Sequence, residues 1–155
     1  MAAPRGTFSF LFTDIEGSTR KWEQEPEAMS HDLVRHDALL REVVRLHDGR
    51  VFNTVGDAVC AVFPTADAAI RGALDGQARL ANESWQVAGG IAVRMSNHTG
   101  EAEEREEDYF GPTLSRVARL LSSAHGGQVV VSAATRELVQ GAAAEHAEWE
   151  DLGEH

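Results

Sequence analysis

Two short apolar runs, each with an aspartate beside or close to a glycine, constrain the fold of this chain more than any other feature. They read Phe12-Thr13-Asp14-Ile15-Glu16-Gly17-Ser18-Thr19 and Asn53-Thr54-Val55-Gly56-Asp57-Ala58-Val59. Both runs are rich in the residue types that favour strands, so each aspartate is expected at a strand end. A fold that joins these ends would create a hard oxygen site for divalent cations, of the kind that binds nucleoside triphosphates.

The rest of the pattern predicts one α+β domain over residues 1–155, because no repeat, linker or low-complexity tract divides the chain. Phe8, Phe10 and Phe12 recur at every second position and predict the first strand. The predicted order is a strand at 7–13, a helical turn at 17–22, a helix at 26–47, a hairpin at 50–63, a helix at 66–81, a strand at 91–99, a polar turn at 100–108, a helix at 113–124, a strand at 128–132, a short helix at 133–140 and a strand at 149–152. This order favours a mainly antiparallel sheet with helices packed on one face.

Composition narrows the classes of partner. The formal net charge is −11, from 25 acidic and 14 basic residues, and such a surface repels nucleic acids and anionic membranes. No apolar run approaches the roughly 20 residues that span a bilayer, and the first residues lack the apolar stretch of a signal peptide. Cys60, the single cysteine, lies in an apolar run and is expected to be a buried free thiol. We therefore expect a cytoplasmic protein with no nucleic-acid partner and no membrane segment.

Each aspartate also has an ordinary structural explanation. Asp14 precedes a predicted helix and could cap it, as aspartates commonly do. Asp57 lies near a hairpin tip, where it could simply be a turn residue. Gly17 opens the first helix, whose free N–H groups favour an anion such as phosphate. From these residues alone, both the structural and the metal-binding interpretations stay open.

Further motifs, taken in order, identify a family. They are His36-Asp37, Val55-Gly56-Asp57, His98-Thr99-Gly100-Glu101, Asp108-Tyr109-Phe110-Gly111-Pro112 and Arg116-Val117-Ala118-Arg119-Leu120. Together with the Phe12–Thr19 segment, they resemble the catalytic domain of class III adenylate/guanylate cyclases, particularly a bacterial subgroup. The resemblance covers nearly the whole chain. It implies a ferredoxin-like nucleotide cyclase fold and the conversion of ATP to 3′,5′-cyclic AMP and pyrophosphate.

The resemblance also implies how the site is built. Asp14, Asp57 and the Ile15 carbonyl would hold two Mg²⁺ or Mn²⁺ ions. The family builds its site between two chains arranged head to tail, so a homodimer is implied. The phosphate-binding turn would be formed by Gly17, Ser18 and Thr19.

The partner chain would supply the other half of the site. The resemblance implies that Arg119 stabilises the transition state and that Ser115 orients the ribose. Without the motif, Arg119 would be read as a surface salt-bridge residue. Asn53 and Asp108 would read the base.

Three departures from the family pattern leave alternatives open. Asn53 replaces the usual base-reading lysine, so a guanylate cyclase that uses GTP is an alternative. Ser115 replaces the usual asparagine, which favours slow turnover and leaves a catalytically weak nucleotide-binding regulatory module as another alternative. The family also continues with a basic strand whose lysine helps to hold phosphate. This chain stops at His155, so the last C-terminal strand is expected to be missing.

Overall fold

In the computed structural model, which describes residues 5–139, a long first strand organises the sheet. The strands are β1 (Arg5–Ile15), β2 (Arg50–Val55), β3 (Ala58–Phe63), β4 (Val93–Arg105), β5 (Asp108–Phe110) and β6 (Val129–Val131). The helices are α1 (Ser18–Gln24), α2 (Pro26–Leu46), α3 (Ala66–Asn82), α4 (Pro112–Ser122) and α5 (Ala133–Leu138). Most predicted elements are confirmed to within two residues. The strand predicted at 149–152 lies outside the described residues.

The sheet has the strand order expected of a ferredoxin-like domain. β1 lies between β3 and β4 and is antiparallel to both, and β2 pairs with the outer side of β3. This gives the order β2-β3-β1-β4 for a β-α-β-β-α-β chain. Beyond β4, β5 adds an antiparallel pair and β6 a parallel one. The prediction of a mainly antiparallel α+β sheet is therefore confirmed.

β4 is longer than predicted. The sequence favours a strand to Thr99 and then a polar turn, whereas β4 continues to Arg105 and pairs with β1 as far as Glu103. The acidic residues do not stop the strand because they alternate with an inward-facing position: Ala102 is fully buried between exposed or half-buried glutamates. The turn itself contains only two residues, at positions 106 and 107.

Helices cover both faces of the sheet, so the expectation that they pack on one face is wrong. Leu11 and Ile15 of β1 face a core that includes α2 and α3. Phe10 points the other way and packs with Val117 of α4. The Ser96 hydroxyl of β4 also donates to the Val117 carbonyl, at 2.9 Å. Both faces of β1 are apolar, so each must be covered.

The helices are amphipathic rather than apolar throughout. α2 is the longest, with 21 residues, and its buried positions recur at helical spacing from Met29 to Val44 while its outer face is charged. Across residues 5–139, no helix combines the length and apolar character needed to cross a membrane.

Candidate active site

The two aspartate segments lie side by side. β1 and β3 pair as far as Thr13 and Val59, which places the end of β1 beside the β2–β3 turn. The backbone N–H of Ile15 donates to Asp57 Oδ1 at 3.0 Å. Gly56 makes this turn possible, because its φ of 58° is one that residues with a side chain rarely adopt. The strand ends therefore bring the two carboxylates of the sequence motifs to one place.

Asp14 is held by an arginine from the neighbouring strand. Arg94 of β4 is its cross-strand partner, and the guanidinium binds both carboxylate oxygens, with Nε donating to Oδ1 at 2.6 Å and Nη2 to Oδ2. The hydrogen bonds to Asp14 raise the pKa of Arg94, partial burial lowers it, and the charges of Asp14, Glu16 and Asp57 raise it further. Arg94 thus lies among three carboxylates.

The alternative in which Asp14 caps α1 is wrong. The N-cap position is Gly17, with a φ of 68°, and no side chain bonds the first turn. Ser18 and Thr19 begin the helix, and a Cβ placed on Gly17 would meet no atom within 4 Å. The backbone of this turn is open for close approach of a ligand.

Sequence reasoning missed Arg94. It lies between the buried residues Val93 and Met95, so the strand pattern marks it only as a polar position. Its pairing with Asp14 depends on the register between β1 and β4, which are about 80 residues apart in the chain. An arginine inside a strand that pairs with a metal-motif strand is the signal that could have found it.

The donor atoms at this strand end suit a hard divalent cation. Asp14 and Asp57 offer carboxylate oxygens, and Ile15 offers a backbone carbonyl, which are the ligand types that Mg²⁺ and Mn²⁺ prefer. Within the described part of the chain, no group of three or more His, Cys, Asp or Glu side chains is placed to hold a metal. The described residues therefore offer only part of an octahedral shell, and Asp14 already stabilises one positive charge.

The two residues expected to read the base lie on β2 and β5, the strands at the two ends of the strand order. Asn53 is exposed on β2 and pairs across the ladder with Cys60 of β3, whose partner on the other side is Phe12. Burial, and then the charge of Asp108, raise the pKa of the Cys60 thiol to about 11. Asn53 and Asp108 are thus both neighbours of Cys60.

The α4 residues point away from their own sheet. Ser115 and Arg119 are exposed, one helical turn apart, whereas Val117 between them is fully buried. Arg119 forms no ion pair with any residue from 5 to 139, so the salt-bridge interpretation finds no support there. No hydrogen bond or ion pair within this range connects it to Asp14 or Asp57.

The sequence of the chain matches a family model over residues 1–154, described as the adenylate and guanylate cyclase catalytic domain. A Mycobacterium tuberculosis protein of unassigned function is 41% identical over 154 residues, which cover 98% of this chain and 52% of that protein. The chain thus spans about half the length of these curated relatives. The adenylate cyclase of Podospora anserina is 33% identical over 155 residues, covering 84% of this chain and 7% of that enzyme.

Solved structures show the same fold. A Trypanosoma brucei adenylate cyclase in its monomeric state superposes with a TM-score of 0.86 and 24% identity, covering 92% of this chain and 80% of that one. The monomeric guanylyl cyclase domain of the Blastocladiella emersonii RhoGC fusion protein superposes with a TM-score of 0.81 and 18% identity, covering 89% of this chain and 88% of that one. At these identities the likeness confirms the cyclase fold alone. Together with the family model, it shows that the chain belongs to the adenylate and guanylate cyclase catalytic-domain family.

Proposed function

We propose that this domain is an adenylate cyclase, which converts ATP to 3′,5′-cyclic AMP and pyrophosphate at a site shared by two copies arranged head to tail. The observation that carries the proposal is the hydrogen bond from Ile15 N–H to Asp57, which brings the family's two metal-motif aspartates to one strand end. Adenylate cyclases that are 31–33% identical to this chain support ATP as the substrate.

Asp14, Asp57 and the Ile15 carbonyl would hold two Mg²⁺ or Mn²⁺ ions. When bound, the ions lower the pKa of the ribose 3′-hydroxyl and neutralise charge on the leaving pyrophosphate. Residues of the chain itself would also stabilise the negative charge of the phosphates. Arg94 keeps its guanidinium beside the carboxylates and can bind phosphate oxygens once a cation replaces it on Asp14. The open N–H groups at Gly17, Ser18 and Thr19 supply further donors.

The base-reading pair suits either adenine or guanine. Asp108, when ionised, only accepts hydrogen bonds and therefore suits the exocyclic amine of adenine. It also suits the N1–H and amino group of guanine. Asn53 can donate to adenine N1 or to guanine O6, since its amide has both a donor and an acceptor. A guanylate cyclase is the second candidate, because Asn53 lacks the charge of the family's lysine.

Arg119 and Ser115 would act on the partner's nucleotide. Both are exposed on α4, and Arg119 has no ion pair among residues 5–139, so its charge is free to stabilise the α-phosphate in the transition state. Ser115 is shorter than asparagine and would reach the ribose through a bridging water. The loss of one well-oriented contact can cost about 10²-fold in rate, so we expect slow turnover.

The direct test measures cyclic nucleotide formation with Mn²⁺ and either ATP or GTP. The wild-type domain should form mainly cyclic AMP, and Asp14→Ala should abolish the product. Glu137→Ala, which removes an exposed acid on α5, is the matched control and should leave the rate unchanged. If the wild type forms no more product than Asp14→Ala, the proposal of cyclase activity is overturned and a regulatory module is favoured. If the wild type prefers GTP to ATP, the domain is a guanylate cyclase.

A mixing experiment tests whether the site is shared. Asp57→Ala and Arg119→Ala chains should each be inactive alone, because each damages both sites of its own homodimer. In the mixed dimer the two defects fall in the same site and leave the other intact. An equal mixture should therefore recover about a quarter of the wild-type activity. A mixture that stays inactive although mixed dimers form would argue against a shared site.

A further inference from the structure

The turn that precedes Asp108 has an unfavourable backbone. β4 and β5 are joined by Glu106 and Glu107, with φ angles of 51° and 66°. A two-residue turn of this kind favours Asn-Gly, because residues with long side chains are strained in the left-handed region. Such a conformation persists only where the surroundings hold it.

Arg50 of β2 provides that support. Its Nη1 donates to the Glu107 carbonyl at 3.1 Å, and its Nη2 donates to the Tyr109 hydroxyl at 3.0 Å. The Tyr109 hydroxyl in turn donates to Glu104 at 2.9 Å. β2 and β5 are the two ends of the strand order, so these bonds connect the sheet's outermost strands across its aromatic face.

The Tyr109 ring anchors the same hairpin. It meets the rings of Phe8 and Phe52 with centroids 4.9 Å apart and that of Phe10 at 5.5 Å. These ring contacts fix the position of β5, but none of them involves the two residues of the turn. The hydrogen bond from Arg50 does reach the turn, because Glu107 is one of its two residues. Glu107 also directly precedes Asp108.

We propose that Arg50 is a positioning residue for base recognition, which ties the β4–β5 hairpin to β2 and thereby keeps Asp108 beside Asn53. Arg50 lies three residues before Asn53 on the same strand, and its bonded carbonyl lies one residue before Asp108. The proposal rests on the proposed function, in which these two residues read the base. It adds that their spacing is set by a third residue that touches neither the base nor the phosphates.

Arginine suits this role because its planar fork can bond a carbonyl and a hydroxyl at once. Lysine presents a single charged nitrogen and cannot hold the same two acceptors in a fixed geometry. The Arg50–Glu104 ion pair is longer, at 3.6 Å, and its side chains are 41% and 40% exposed. An ion pair that exposed contributes little, so the bonds to Glu107 and Tyr109 carry the positioning.

The thiol of Cys60 offers a test that needs no enzyme activity. It is the only cysteine in the chain, and burial and the charge of Asp108 both suppress its thiolate. Arg50→Met should release the hairpin and speed the modification of Cys60 by iodoacetamide at pH 8 severalfold, because loss of burial and of the Asp108 charge lowers the pKa of the thiol and each pKa unit changes the thiolate fraction tenfold. Tyr109→Phe keeps the ring and should give a smaller increase, and Arg50→Lys should lie between wild type and Arg50→Met.

Arg105→Met is the matched control. Arg105 belongs to the same hairpin, but it pairs with Glu103 and stacks on Phe110, and neither residue lies on β2. Its loss should leave the modification rate of Cys60 unchanged. Equal rates for Arg50→Met and Arg105→Met would overturn the proposal.

Base preference supplies the second readout. Arg50→Met and Asp108→Ala should shift the ratio of kcat/KM for ATP over GTP in the same direction, mainly through KM. The double variant should shift it no further, because both changes remove one function. Additive shifts, or an unchanged ratio with a faster Cys60 reaction, would overturn the role in base recognition. A wild-type domain without cyclase activity would overturn the proposed function instead, while the Cys60 rates still test the contact.

Discussion

Replacing Arg94 with glutamine should tighten Mn²⁺ binding to the nucleotide-free domain. In the wild type, the guanidinium occupies both oxygens of Asp14, so a cation must displace it. Glutamine is neutral and offers Asp14 at most a weaker hydrogen bond. The variant therefore removes a competitor for the carboxylate and a positive charge that repels the metal.

The size of the effect follows from the exposure of the pair. The Arg94 and Asp14 side chains are 29% and 22% exposed, so the pair is neither fully solvated nor fully buried. Hydrogen bonds to charged groups contribute about 1.5–3 kcal/mol. Displacing them therefore weakens metal binding roughly 10- to 150-fold. Partial exposure puts the expected gain for Arg94→Gln near the lower limit, about tenfold.

Titration calorimetry or the electron paramagnetic resonance signal of free Mn²⁺ measures this affinity without nucleotide. Asp14→Asn supplies the blank for weak surface binding. Arg71→Gln removes an exposed arginine on α3 that has no hydrogen bond or ion pair to Asp14, and it should match the wild type. An Arg94→Gln affinity equal to or weaker than the wild type, with the Asp14→Asn blank clearly weaker than both, would refute the competition between arginine and metal.

Three further predictions concern stability. Asp32→Asn should cost about 1–3 kcal/mol in urea unfolding, because the buried carboxylate accepts two backbone N–H groups from the loop after α3. Burial lowers the pKa of His98, so unfolding free energy should fall as pH drops below about 6.5, and His98→Gln should lose that part of the pH dependence. Gly49→Ala should lower the melting temperature more than Gly72→Ala, since the added carbon would lie 2.5 Å rather than 3.1 Å from the Phe63 ring.

The order of elements was predictable because local signals determine it. Alternating Phe8, Phe10 and Phe12 predict a strand, and Pro26 lies where α2 begins. The position of α4 was not predictable in this way. Its apolar stripe shows that it packs on a sheet, but both faces of β1 are apolar, so the stripe does not choose between them.

The candidate site residues also differ in whether local sequence signals could reveal them. Asp14 and Asp57 were recognised from short motifs, whose residues are adjacent in sequence. The roles of Arg94 and Arg50 depend on which residues face each other across strands and on how far β5 reaches over the sheet. Register of that kind follows from the packing of the whole sheet. A local pattern therefore indicates the candidate ligands of a site more readily than the residues that hold those ligands in place.

The two halves of the proposed site differ in whether their charges are paired within the described part of the chain. The carboxylate half is neutralised in part by its own arginine, because Arg94 bonds Asp14 and lies near Asp57. We infer that this pairing lets an acidic chain, with a net charge of −11, bring the two aspartates together before any metal arrives. The arginine half has no such partner among residues 5–139, where Arg119 is exposed. In that part of the chain its positive charge has no negative partner, as we expect if the proposed site is completed by a second chain.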